Sequence, residues 1–324
     1  MRNLVLALLV VTAAAVAVDA RADDYPSKPV RVLVGFAPGG GTDVTTRIVA
    51  PGIGKRLGQQ IIVENRPGAA GGIAAELAAK AQPDGYTLLM GTIAALAISP
   101  SLYSKVSVDP LRDLTPITQS VSLANVVVAH PSLPVRTLAD LIALAREKPG
   151  TITYGSSGPG SAGHLAGELF NSMAQVKLVH VPYKGGAPAM ADLLSGHVNL
   201  NFAAAADAIH HSKAGAIRAL AVTTPFRIAD LPDVPTVEEA AGLPGYQAVN
   251  WYGLTGPARL PRPLVDRIFA VTVETLQDPS VRDRLLSVGL QPTPSKSPDD
   301  FVDFMRAEGV KWAKVVKDSG AKVD

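Results

Sequence analysis

Two α/β domains facing one another across a cleft are what this sequence predicts. Three observations carry the prediction. Apolar strand-like runs alternate with helical patterns along the chain, as α/β sheets require. The length left after an N-terminal leader, roughly 300 residues, exceeds what one hydrophobic core usually serves. Two stretches in different halves of the chain, VRVLVGFAPGGGTD and TITYGSSGPGSAGH, also share one plan of strand, small-residue loop and helix start.

The chain opens with Arg2, an apolar run from Leu4 to Val18 and a small-x-small site, Ala20-Arg21-Ala22. This is the pattern of a secretory signal peptide over residues 1–22, cleaved after Ala22. The rival reading is a membrane anchor, but the run is short for a span and rich in Ala rather than Leu. No other stretch is long enough to cross a bilayer. Removing Arg2, Arg21 and Asp19 leaves 28 basic against 27 acidic side chains, a net charge of about +1. Nothing in that balance calls for nucleic acid or an anionic membrane surface. The chain has no cysteine, so it has no disulfide framework and no thiol chemistry. An exported chain without cysteine fits a bacterial periplasm.

The elements follow in order. PVRVLVGF reads as a strand, followed by a helix from about Thr42. Pro51 and Gly52 fall inside that helix and are expected to kink or interrupt it. QIIVEN is a strand, and RPGAAGG leads into an Ala-rich helix ending about Ala81. DGYTLLMGT is a third strand, its start marked by Asp84-Gly85. NVVVAH begins a second set: helix TLADLIALARE, strand TITYGS, helix HLAGELFNSMA, strand VKLVHVP, helix APAMADLLSG, then strands HVNLNFA and AIRALAVTT. Pro232, Pro235, Pro244 and Gly245 punctuate a loop-rich stretch, and WYGLTGP is a late strand. From Pro298 a helix carries Phe301, Phe304, Met305, Glu308 and Trp312 at helical spacing. The glutamate alone breaks this apolar stripe, which reads as core packing rather than a cofactor box.

The echoed loops carry the chemistry. Ligands of open α/β sheets bind outside the carboxyl ends of the strands. Each loop offers free backbone N–H groups, and glycine lets the backbone approach a ligand closely. Thr42, Asp43, Ser157 and Ser161 are placed to cap the helix starts. Gly35 to Asp43 contains neither Lys nor Arg. A hydrogen bond to a charged group contributes roughly 1.5–3 kcal/mol. A helix N-terminus adds about 0.3–1 kcal/mol, rising to about 2 when partly buried. Three or four such donors and two helix ends therefore hold a carboxylate without a cation. Association costs several kcal/mol in return, so a micromolar complex, about −8 kcal/mol, is expected. Phosphate more often recruits Arg or Lys, which favours carboxylate.

Rival motifs fail on their residues. GFAPGGGTD lacks the Gly-Lys-Ser/Thr ending of a nucleotide loop and is not GxGxxG. Ser157 misses a nucleophile elbow because Pro159 stands where glycine is needed. The six histidines show no metal-ligand spacing, and His210 and His211 point to different helix faces. No catalytic machinery, metal site or cofactor is visible.

Nine stretches in order carry a family likeness: YPSKPVRVLVGFAPGGGTD, VENRPGAAGG, PDGYTLLMGT, HPSLPVRTLADLIALAR, HLAGELF, HVPYKGGAPAMADLLSGHV, AGAIRALAVTT, LPDVPTVEEA and RLPRPLVDRI. Over essentially its whole mature length the chain resembles the Bug-type periplasmic solute-binding receptors of tripartite tricarboxylate transporters. The resemblance implies a type II periplasmic-binding-protein fold, two α/β lobes joined by two crossing strands around a ligand cleft. Lobe 1 would cover 23–124 plus 250–324 and lobe 2 would cover 125–249, one loop falling in each. It implies a small carboxylate ligand: a dicarboxylate, tricarboxylate, acidic amino acid, nicotinate or aromatic acid. A monomer without cofactor would deliver it to a membrane permease. The alternative is a sensor partner that presents the ligand to a membrane kinase.

Carried over residue by residue, the resemblance puts Phe36, Ala37, Pro38, Gly39, Gly40 and Asp43 around the ligand's first carboxylate. Gly91 and Thr92 add lining from the same lobe. Ser156, Ser157, Gly160, Ser161 and His164 match the second loop, and Tyr183 and Lys184 match a turn near the cleft. Plainer roles stay open: a cap for Asp43, packing or capping for His164, a solvated turn for Lys184, and hinge or packing for Trp251. Many relatives carry an acid where this chain has Ala203. Its loss would favour a ligand without an amino or hydroxyl group.

Overall fold

The computed structural model describes residues 25–102 and 107–319, and the expected signal peptide lies outside them. The first set of elements is β1 (Val30–Val34), α1 (Gly41–Leu57), β2 (Ile61–Asn65), α2 (Gly72–Ala79), β3 (Thr87–Thr92), α3 (Ser99–Leu102) and β4 (Leu114–Leu123). The second is β5 (Asn125–Ala129), α4 (Leu138–Glu147), β6 (Thr153–Ser156), α5 (Ala162–Ala174), β7 (Val179–Pro182), α6 (Gly186–Leu194), β8 (Leu200–Ala204), α7 (Ala205–Lys213), β9 (Arg218–Val222) and α8 (Val237–Ala241). The chain ends with β10 (Asn250–Pro257), α9 (Arg262–Gln277), α10 (Pro279–Leu286), β11 (Gln291–Pro292) and α11 (Pro298–Ser319).

Among the described residues the strands form two sheets, ordered β11-β4-β10-β3-β1-β2 and β7-β6-β8-β5-β9. β1 runs parallel to β2 and β3, and β6 runs parallel to β7 and β8. The central strands β3 and β5 are buried at every position. Their near-continuous apolar runs suit a sheet covered by helices on both faces. A single residue, Ala124, separates β4 from β5, and the chain returns beside it, Asn250 pairing with Leu123. The two passages between the sheets therefore lie side by side.

β4 is the strand that the sequence pattern hides. LTPITQSVSL interleaves Thr, Pro, Gln and Ser with its apolar residues, yet Thr118 and Ser120 are fully buried between β10 and β11. The expected interruption of α1 does not occur, because the helix runs unbroken through Pro51 and Gly52. Pro51 sits on the exposed face and removes one backbone donor, to which the helix adapts. Gly52 faces α9, where a methyl group would come within 2.5 Å of Thr275 Cγ2. It is a contact residue that lets two helices approach closely.

The stripe on α11 packs as expected. Phe301, Met305 and Trp312 are buried in the same cluster as Trp251. Glu308 stands within that stripe and accepts hydrogen bonds from both indoles, Trp251 Nε1 at 2.9 Å and Trp312 Nε1 at 3.0 Å. Trp251 is thus a core residue of β10.

Candidate functional site

The carboxyl ends of β1, β3, β6 and β8 open onto one cavity of about 40 Å³. Its wall includes the first residues of four helices: Gly41 and Thr42 of α1, Ala162 and Gly163 of α5, Gly186 of α6, and Asp207 in the first turn of α7. Helix starts carry backbone donors without intrahelical acceptors and the positive end of the macrodipole. Among the described residues no Lys, Arg or His lines the cavity. Thr92, Asn125 and Asn250 line it while 93–99% buried, and each holds a side-chain atom without a hydrogen-bond partner: Thr92 Oγ1, Asn125 Nδ2 and Asn250 Oδ1. Roomier hollows beside α1 (about 950 Å³) and beside α10 (about 540 Å³) collect neither helix starts nor such atoms.

Phe36, Gly40, Thr92, Ser157, Ser161 and Ala203 line this cavity. Ser161 also caps α5, accepting from His164 N at 3.2 Å. Ala37 meets the opposite sheet at Gly185, where a methyl group would lie 3.2 Å from its Cβ. Pro38 and Gly39 form the exposed tip of the first loop.

The structure places the remaining expected residues around the cavity rather than on its wall. Asp43 is a brace. Its carboxylate accepts from Gly39 N at 3.0 Å, from Arg47 Nε at 2.9 Å and from Asn65 Nδ2 at 2.9 Å. Burial opposes its charge, but the bonds from Arg47, Gly39 and Asn65 hold the carboxyl below its ordinary range. Asn65 also donates to the Phe36 carbonyl at 3.1 Å, which ties the loop to β2. Gly91 is buried on β3 against Leu96.

Ser156, Gly160 and His164 form a layer behind the second loop. Ser156 Oγ lies 2.7 Å from His180 Nε2, Gly160 donates its N–H to His164 Nδ1 at 3.0 Å, and the two imidazoles stack at 4.1 Å. Burial lowers His164 to about 4 and, with His164 beside it, His180 to about 3, so both rings are neutral at pH 7. Tyr183 donates to Asp192 at 2.7 Å, and Lys184 is exposed. The turn approaches the first loop through Gly185 and Gly186 instead.

Residue reasoning missed Asn125, Asn201, Asn250, Tyr252 and Asp207 on the wall. The asparagines and Tyr252 sit at strand ends brought together only by the sheet order. Asp207 had a signal in FAAAADA, where a lone acid follows four alanines.

Residues 45–321 match the family model of the tripartite tricarboxylate transporter family receptor (TctC). The chain belongs to that receptor family. The receptor is 34% identical over 314 residues to protein BugT of Bordetella pertussis, covering 97% of this chain and 96% of that one. It shares 37% identity and a TM-score of 0.89 with an R. palustris protein solved with adipate, over 93% of this chain and 100% of that one. With MatC from Rhodopseudomonas palustris, solved with bound malate, it shares 30% identity and a TM-score of 0.85, over 90% and 100% of the two chains. The receptor has the periplasmic-binding-protein fold of this type, with two sheets and their helices. Among the described residues no helix is long and apolar enough to cross a membrane.

Proposed function

We propose that this receptor captures a small carboxylate, of the dicarboxylate class, between its two sheets and delivers it to a tripartite tricarboxylate-type permease. The observation that carries the reading is the wall itself. Helix starts and the unpartnered Thr92 Oγ1 and Asn125 Nδ2 surround a cavity without a lining cation. Such a wall supplies donors to an anion through neutral groups. The relatives solved with adipate and malate support the same ligand class.

The lobes are 23–124 plus 250–324 and 125–249, each carrying one loop, and the paired passages at Leu123–Asn125 and Asn250 act as the hinge. A cavity of about 40 Å³ holds a few waters but no diacid, so entry requires the lobes to part. The mature monomer works in the periplasm after cleavage at Ala22, binds its ligand unchanged and needs no cofactor.

A thermal-shift screen of refolded protein against mono-, di- and tricarboxylates, with phosphate and sugars as controls, tests the reading. Ligand at about 100 times Kd adds roughly 2.7 kcal/mol, a rise of a few degrees. A response to phosphate or sugars with a flat carboxylate series would reject it.

A further inference from the structure

Asp207 has an unusual setting for a wall carboxylate. Among the described residues no hydrogen bond or ion pair reaches it. Among the described residues those that line the cavity beside it are neutral, and the turn at Gly289 meets α7 at Ala205 and Ile209, away from the cavity wall. α6 brings Gly186, so close that a methyl group there would lie 2.0 Å from Asp207 Oδ2. α1 brings Gly41 and Thr42, and its acid Asp43 is engaged by Arg47 and Asn65. β5 brings Asn125, β8 brings Asn201 and Phe202, and β10 brings Asn250 and Tyr252. Arg218 of β9 is bonded to the Val135 carbonyl. On α7 itself Lys213 pairs with Asp230 at 3.7 Å, and His210 and His211 pack edge to face in the last turn. Tyr252 is the titratable neighbour, its phenol pushed up by burial first and then by the Asp207 charge.

An anion entering this cavity meets no cation to offset an ionised Asp207. A like charge nearby disfavours ionisation, and a protonated carboxyl becomes a donor. Its O–H to a carboxylate oxygen is a short, charge-assisted hydrogen bond. We infer that Asp207 is a specificity-determining residue: in the complex it carries a proton and donates that hydrogen to a carboxylate of the ligand. The inference rests on the carboxylate reading above and names what meets the anion on the α7 side. Burial alone already holds this carboxyl near its protonated form, at about 7. Above neutrality the proton comes from solvent, so each ligand bound takes up close to one proton. Affinity then weakens as pH rises, by roughly 50-fold between pH 7 and pH 9.

Calorimetric titration of the mature protein with adipate and with malate tests this, at pH 7, 8 and 9 in two buffers of different ionisation enthalpy. Free carboxyls titrate near pH 4, so both probes stay ionised throughout. The native protein should take up close to one proton per probe at pH 8 and follow the predicted weakening. Asp207→Asn, whose amide donates without titrating, should bind with a flat pH profile and no proton uptake. Asp207→Ala should bind more weakly, also without pH dependence. Native binding without proton uptake would overturn the inference and leave the carboxylate reading standing. So would uptake that persists in Asp207→Asn. Loss of all binding in a folded Asp207→Asn, with the native protein still binding, would show that a donor at this position is not what holds the anion, which also overturns it. No native binding of either probe, with a flat carboxylate screen, would remove both readings.

Discussion

The indole N–H of Trp251 donates to the Glu308 carboxylate at 2.9 Å across 57 residues of sequence, joining β10 to α11. Trp312 donates to the same oxygen, and Lys311 lies 3.2 Å from the other. One half-buried acceptor therefore serves two indoles. Glu308→Leu leaves both N–H groups unpaired, each costing about 1–3 kcal/mol. Urea unfolding should show a fall of several kcal/mol, with Glu308→Gln recovering part of it.

Thr92→Val should separate binding from stability. The hydroxyl is buried and unpartnered in the free protein, so its loss leaves the free fold at least as stable. If the hydroxyl meets the ligand carboxylate, affinity should fall by about 1.5–3 kcal/mol, roughly tenfold or more. Titration calorimetry beside urea unfolding distinguishes the two effects. Unchanged affinity would place the ligand elsewhere.

Gly41→Ala puts a methyl group 2.8 Å from the Tyr252 hydroxyl. Tyr252 is buried in β10 and unable to give way freely. The start of α1 should shift, and carboxylate affinity should drop at least tenfold while the far-ultraviolet circular dichroism stays native. An unaffected titration would show that α1 plays no part in holding the anion.

Acid should loosen the layer behind the second loop before it touches Asp43. His164 and His180 are held neutral, whereas the unfolded chain protonates them from about pH 6.5 downward. Their contribution is complete above pH 6.5 and is lost as pH falls towards 4 and 3. At about pH 5 it amounts to a loss on the order of 2 kcal/mol per ring. Asp43, whose pKa is lowered, stabilises above about pH 4 and loses that contribution only below it. Urea midpoints from pH 8 to pH 4 should fall in the native protein and fall less in His180→Gln. Identical slopes would exclude the ring pair as the cause.

The amino-acid order alone determined the α/β alternation, the two glycine loops and the lack of a cation in either. Those features are local: an apolar run, a turn residue and a helix start lie within about ten residues of one another. It also exposed the α11 stripe, because helical spacing is readable from i to i+4. Tertiary structure decided what the stripe's glutamate does and which loop residues reach the cavity. Asp43 and His164 sit in the expected loops but engage Asn65 and His180, partners fixed by strand order, with Arg47 one helical turn from Asp43. Thr92, Asn125 and Asn250 meet only because β3, β10 and the β4–β5 junction lie side by side. Pro51 and Gly52 illustrate the limit from the other side. Their local rule called for a kink or an interruption, and the helix runs on without interruption, Pro51 on an exposed face and Gly52 against α9. Sequence neighbours set an element's type. The company a side chain keeps depends on contacts between residues far apart in the chain, and those exist only once both sheets have formed.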